Sequence, residues 1–160
     1  MKMRNTSLCY IENSGRYLML HRVKKTVDEN KDKWIGIGGK FEESESPEEC
    51  TLREIREETG LSLTAEDLRF RGIVTFVSDE WGTEYMHLFT CRIGDEKLSE
   101  IFGSENEEGV LEWVTLEKIG SLPIWEGDRI FLKLLAEDAA FFSLKLEYCG
   151  EQLVRHTLHL

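Results

Sequence analysis

Glu54, Glu57 and Glu58 lie at positions i, i+3 and i+4 in the stretch Gly39 to Leu61, GKFEESESPEECTLREIREETGL, with Arg53 directly before them and Glu45 upstream. On a helix this spacing projects all three carboxylates from one side. Each like-charge pair costs on the order of a few tenths of a kcal/mol on an isolated helix, so a chain that accepts several such pairs calls for a compensating cation. An all-oxygen, carboxylate-rich set suits a hard divalent ion, Mg²⁺ or Mn²⁺, rather than zinc. Such a centre suits phosphoryl chemistry, because the ion neutralises phosphate oxygens, positions water and stabilises developing charge. A glutamate in the cluster can take the proton of the attacking water, and Glu54 is one candidate. The plainer alternative, a solvated acidic helix face, leaves the glycine loop, the isolated Glu45 and the embedded Arg53 without a reason.

The elements that must hold these residues can be read around them. Ser46 is an N-cap, Pro47 suits the first helical position, and Glu49 completes a Ser-x-x-Glu capping box. Gly60 supplies a left-handed stop, which predicts a helix over 47–59 with Leu52, Ile55 and Thr59 on the stripe that packs against a sheet. Upstream, residues 6–12 and 16–21 read as strands around an Asn13-Ser14-Gly15 turn. The segment 24–33 is a polar loop, and Trp34 to Gly39 is one short strand entering the glycine loop. Downstream, 68–77 and 85–93 have strand composition, 94–109 is an acidic surface loop, and 110–115 is a strand. Helices over 116–120 and 126–137 follow, and the tail folds as a hairpin around Cys149-Gly150-Glu151. The sum is an α/β protein, a mixed sheet between helices.

At 160 residues with 41% hydrophobic content, the chain fits one domain over 1–160 with a sizeable core. A formal net charge of −11 argues against a nucleic-acid polymer as partner, though not against a small phosphorylated one met through a metal. Cys9, Cys50, Cys91 and Cys149 show no C-x-x-C spacing, which suits reduced thiols in the cytoplasm. The N-terminal stretch lacks a signal-peptide core, and no apolar run has membrane-spanning length, so a cytoplasmic protein without a membrane partner is expected. His156 and His159 have no further ligands near them in sequence and read as residues of a terminal strand.

The full spacing, G-x5-E-x7-R-E-U-x-E-E-x-G-U with U aliphatic, is met from Gly39 through Leu61 and resembles the signature of the Nudix hydrolase family. The resemblance implies an α/β/α sandwich and hydrolysis of a nucleoside diphosphate linked to another moiety, by attack of water on phosphorus. It implies metal binding by Glu54, Glu57 and Glu58 with the Gly39 carbonyl, and a structural role for Glu45 and Arg53. Glu108 lies where some family members place an additional catalytic or metal-binding glutamate; a solvated loop acid is the alternative. Arg22, after the strand Leu18-Met19-Leu20, either reaches a substrate phosphate or is an exposed strand-end cation.

Outside the signature, WIGIGGK (34–40), LEWV (111–114) and LPIWEGDRIF (122–131) resemble MutT-type diphosphatases of oxidised purine nucleoside triphosphates. By that resemblance Trp125 and Asp128 hold the purine: an indole face stacks on a base, and a carboxyl bonds an N–H edge. Ordinary core packing is the other reading of Trp125. Two positions depart from the pattern. Gly127 precedes Asp128 where some relatives carry two consecutive acids, and Ile35, at a base-contacting position, replaces an Asn. The expected activity is Mg²⁺-dependent conversion of 8-oxo-dGTP to 8-oxo-dGMP and pyrophosphate. The alternatives are a family hydrolase for another nucleotide such as ADP-ribose, or a catalytically inactive nucleotide-binding module.

Overall fold

The computed structural model describes residues 2–103 and 105–160, so Met1 and position 104 of the acidic loop lie outside the description. Its strands are β1 (Met3–Asn13), β2 (Arg16–His21), β3 (Trp34–Ile35), β4 (Ile37–Lys40), β5 (Arg69–Ser78), β6 (Gly82–Arg92), β7 (Val110–Thr115), β8 (Phe142–Cys149) and β9 (Gln152–His159). The α-helices are α1 (Pro47–Thr59), α2 (Leu116–Ile119) and α3 (Glu126–Ala136). The strands form one sheet in the order β3-β2-β1-β6-β5-β8-β9, with β4 also paired to β1 and β7 to β2. The sheet is mixed, because β1–β6 and β5–β8 are parallel while the other pairings are antiparallel.

The period-2 alternation of a strand separates two cores. From β1, Leu8 and Tyr10 join Val74, Phe76, Leu144 and Leu146 under Phe131 and Leu135 of α3. Cys9 and Ile11 face the other way, joining Leu18, Leu20, Ile37 and Phe89 under Ile55 of α1. β1 is therefore buried on both faces, as its uninterrupted run of small and apolar residues suggests. The α/β/α layering expected from the sequence is present.

The local signals act as read. Ser46 Oγ accepts from Glu49 N at 3.1 Å while Ser46 N donates to Glu49 Oε1 at 2.9 Å, and Gly60 ends α1 at φ 85°. Ser14 and Gly15, with φ of 51° and 74°, turn β1 into β2. Several expectations change: Leu52 is only half-buried and outside the core under α1, where Cys50 and Thr51 are buried instead, and β1 starts at Met3 rather than Thr6. Trp34 to Gly39 is not one strand but two: β3 pairs with β2, β4 with β1, and Gly36 separates them. A Cβ at Gly36 would stand 2.8 Å from the Cys9 carbonyl oxygen, so the chain switches partners where only glycine fits. The acidic loop contains a 3₁₀ turn over Asp95–Glu100. β6 starts at Gly82 rather than Tyr85, because pairing with β5 continues to Ser78↔Gly82 and brings Glu84 into the sheet.

Ile55 is fully buried at the contact of α1 with β1 and β4. Ile55→Ala is expected to lower unfolding free energy by about 2–5 kcal/mol in urea titration; a loss below about 1 kcal/mol would mean α1 is not held by this contact.

Candidate active site

β4 runs into the glycine loop and α1 follows, so the loop backbone and the helix acids meet at one corner. Arg53 ties that corner together. Its guanidinium donates to both oxygens of Glu45 (Nε to Oε2 at 2.6 Å, Nη2 to Oε1 at 2.9 Å) and to the Lys40 carbonyl at 3.0 Å. Its Nη1 reaches Glu54 Oε1 at 2.6 Å and Glu57 Oε2 at 3.2 Å. The two-pronged contact to Glu45 is the strong form of this ion pair. Arg53 holds the Glu45 carboxyl down from the ordinary 4.5 to about 2, although partial burial works the other way.

The three helix acids do not share one environment. Glu57 is about half exposed and touches Arg53. Glu54 is mostly buried, and that burial raises its carboxyl against the pull of Arg53. Glu58 is 6% exposed and accepts from Gly38 N at 3.1 Å through Oε2. Burial pushes Glu58 well above the carboxylate range, and Glu108 and Glu54 push it further. Among the described residues no donor reaches its Oε1, and the Glu108 carboxyl is the side chain within hydrogen-bond reach of Glu58. Gly39 lies against Glu54 so closely that a Cβ there would meet the carboxyl group at 2.7 Å. The Gly39 carbonyl faces the Cys50 thiol at 3.7 Å, a weak contact.

Among the described residues, no three acids as placed converge closely enough to ligate one ion. Arg53 pairs with Glu54 and Glu57, and Arg22 with Glu108 at 3.2 Å. The donor set still fits a hard divalent cation. It is oxygen-rich, anionic and crowded, and it contains an orphaned buried carboxylate oxygen on Glu58, a state that costs about 1–3 kcal/mol or more unless something pairs with it.

A cavity of about 670 Å³ extends from this corner across the sheet face under α3. Its lining includes Gly39, Arg53, Glu54, Arg22 and Glu108 from the acidic corner, and Ile35, Phe76, Glu84, Trp125 and Asp128 from the sheet and the start of α3. Arg22 is not an exposed strand-end cation, since it is 12% exposed between Asp28, at 2.9 Å, and Glu108. Trp125 fits both of its readings. It is 4% exposed, packs edge-on to Phe76 and Tyr148, and donates through Nε1 to Asn30 at 2.8 Å, yet it borders the cavity. Lys33 Nζ stands 4.9 Å from its ring centre. Asp128 lies in the first turn of α3, where the helix end favours negative charge by about 0.3–1 kcal/mol. Burial dominates: with Glu84 nearby it raises Asp128 to about 8, against Lys33 and Arg129.

A Nudix domain matches residues 1–135. The chain belongs to the Nudix hydrolase family, whose members act on phosphoanhydride bonds. This Nudix hydrolase is 30% identical over 146 residues to the uncharacterized Nudix hydrolase YvcI of Bacillus subtilis, covering 89% of this chain and 85% of that one. It is 30% identical over 122 residues to the oxidized purine nucleoside triphosphate hydrolase of Mus musculus, covering 74% and 67%. The crystal structure of the mutator MutT protein from Bacillus halodurans superposes with a TM-score of 0.80, at 23% identity and 97% coverage of both chains. The fold of this Nudix hydrolase is therefore the MutT-type α/β fold.

The structure also brings in Asp28, Asn30, Lys33 and Glu84, which the sequence did not single out. The first three sit in the polar loop, where nothing local marks a side chain as inward-facing. Glu84 carried a signal only through strand register: it lies opposite Phe76 of β5, an apolar core residue on the face that α3 covers.

The Glu45–Arg53 pair makes a pH prediction. Because the folded-state value of Glu45 is depressed, its contribution is present above the ordinary 4.5 and disappears as pH falls through about 2. Arg53→Met is expected to destabilise most above about pH 5, with the difference from wild type shrinking steadily toward pH 2 in urea titrations. A difference independent of pH would contradict the clasp.

Proposed function

We propose that this Nudix hydrolase cleaves purine nucleoside triphosphates carrying an oxidised base, with 8-oxo-dGTP as the reference substrate, giving the nucleoside monophosphate and pyrophosphate. The observation that carries the reading is that one cavity joins two unlike ends. At one end, acids and a glycine loop suit a metal-bound pyrophosphate; at the other, an indole and a buried carboxyl suit a base. The mouse relative, an oxidized purine nucleoside triphosphate hydrolase, supports the same substrate class. Nucleotide-pool sanitation in the cytoplasm follows from that class. A single domain over 1–160 is part of the reading, since β8 and β9 lie beyond the matched residues yet β8 supplies Leu144, Leu146 and Tyr148 to the core.

Glu54, Glu57, Glu58 and the Gly39 carbonyl would hold Mg²⁺ or Mn²⁺, with Glu108 joining them; when bound, the ion supplies charge neutralisation at phosphate and a more acidic water. The chain's own residues do the rest. Glu54 takes a proton from the attacking water, and Glu108 is the second candidate for that task. Arg22, shared by Asp28 and Glu108, would bind a phosphate oxygen, and Glu108 would add a carboxylate to the set that holds the metal. Arg53 and Glu45 keep the loop and helix in register. Trp125 and Ile35 wall the base, and Asp128 bonds its edge.

Initial rates with Mg²⁺ on 8-oxo-dGTP, dGTP, 2-hydroxy-dATP and ADP-ribose, with products identified by mass, test the assignment. The expected order places the oxidised purines first, with pyrophosphate as co-product. Glu58→Gln is expected to lower kcat about 10²-fold or more, and Trp125→Ala to raise KM for the purines about tenfold. Equal or faster turnover of ADP-ribose would remove the substrate assignment. Metal-independent nucleotide binding with no pyrophosphate formed would point to a binding module.

A further inference from the structure

A second acid before Asp128 would require Leu146 and Tyr148 to shift. A Cβ at Gly127 would lie 2.5 Å from Leu146 Cδ1 and 2.8 Å from Tyr148 Oη, and that hydroxyl already accepts from Gly127 N at 2.7 Å. Another strand supplies a carboxyl to the same cavity. Glu84 of β6 is paired with Arg4 of β1 and Phe76 of β5, and residues directly opposite in a sheet share a face. Phe76 packs on Trp125, so Glu84 opens onto the space that Asp128 lines.

Burial, with Glu29 beside it, raises the Glu84 carboxyl from its ordinary value, while Thr6, Arg4 (which also pairs with Glu29 at 2.6 Å) and Lys40 favour its ionised form. Thr6 Oγ1 donates to its Oε2 at 2.7 Å, and Arg4 Nη2 lies 3.3 Å from its Oε1. Asp128 is 3% exposed, and among the described residues no hydrogen bond reaches its carboxyl. Two buried acids bordering one cavity do not both ionise readily, and the one lacking donors keeps its proton.

We propose that Glu84 is a positioning residue for base selection: as a carboxylate held by Thr6 and Arg4 it keeps the proton on Asp128, so that Asp128 meets the base as a hydrogen-bond donor. The proposal rests on the reading that this end of the cavity receives the base. A protonated Asp128 selects a base edge that offers an acceptor, such as the carbonyl oxygen of a 6-oxo or 8-oxo purine, whereas an ionised one would demand an N–H. The elevation of Asp128 to about 8 agrees in direction, with burial the larger cause and Glu84 next. The other groups around it are Lys33 from the loop and Arg129 on α3, both opposing, and the Tyr10 and Tyr148 hydroxyls, which burial pushes above the usual phenol range.

The direct test is a ¹³C titration of the aspartate carboxyl carbons in the full chain without nucleotide, the Asp128 signal being assigned by its loss in Asp128→Asn. Glu84→Gln keeps the shape and the acceptor for Thr6 but removes the charge, and is expected to lower the Asp128 midpoint by about one pH unit. Glu84→Asp keeps the charge and is expected to leave the midpoint within about half a unit of wild type. Should Glu84→Gln not fold, Glu84→Ser carries the same comparison. In activity, the pH above which kcat/KM for 8-oxo-dGTP falls should move down by the same interval in Glu84→Gln; comparison with wild type cancels ionisation of the nucleotide itself. An Asp128 midpoint unchanged on loss of the Glu84 charge overturns the proposal. A midpoint that moves as expected in an enzyme that turns over no oxidised purine nucleotide instead overturns the substrate reading and leaves the coupling of Glu84 to Asp128 standing.

Discussion

The constraint behind this architecture is the mutual repulsion of acids packed at one loop–helix corner. Glu45, Glu54, Glu57 and Glu58 come from a single short stretch, and Glu108 is brought against them by the loop before β7. Two arginines absorb part of that charge, Arg53 from within the helix and Arg22 from the end of β2. They leave Glu58 buried beside Glu108, with one oxygen that no donor among the described residues reaches and its ionised form strongly disfavoured. A packed interior accepts such a group only where a partner compensates, and a hard cation is the partner that suits carboxylate oxygens.

The scaffold follows from how β1 is used. Because it is buried on both faces and pairs with β2, β4 and β6, it carries α1 on one side and the α3 cavity on the other. The partner switch at Gly36 lets β4 leave β2 and bring Gly38 and Gly39 beside the acids of α1. On the opposite layer, α3 presents Trp125 and Asp128 across from β5 and β6. The acidic corner and the Trp125–Asp128 side thus border one sheet-floored cavity.

Much of this was legible in the sequence, and the legible parts are local. The capping box at Ser46 and Glu49, the stop at Gly60 and the i, i+3, i+4 acids are set by neighbours a turn apart, so the limits of α1 and the clustering of its charges could be read directly. What escaped depends on partners distant in the chain. The break at Gly36 exists because β1 and β2 each claim a piece of the same short segment. Glu84 borders the cavity beside Asp128 only because β6 begins three residues earlier than its composition suggests and pairs Glu84 with Phe76. Glu57 shares the helix spacing of Glu54 and Glu58 but turns toward Arg53 and solvent, a division that periodicity alone does not make.

The most direct measurement of the central claim is Mn²⁺ binding by electron paramagnetic resonance, in wild type and in Glu58→Gln, each checked for native fold. If the crowded corner exists to hold a divalent ion, wild type binds Mn²⁺ at the glycine-loop acids, and Glu58→Gln weakens that binding by about tenfold or more. Equal affinity in the two proteins, or no binding in wild type with or without nucleotide, would contradict the account.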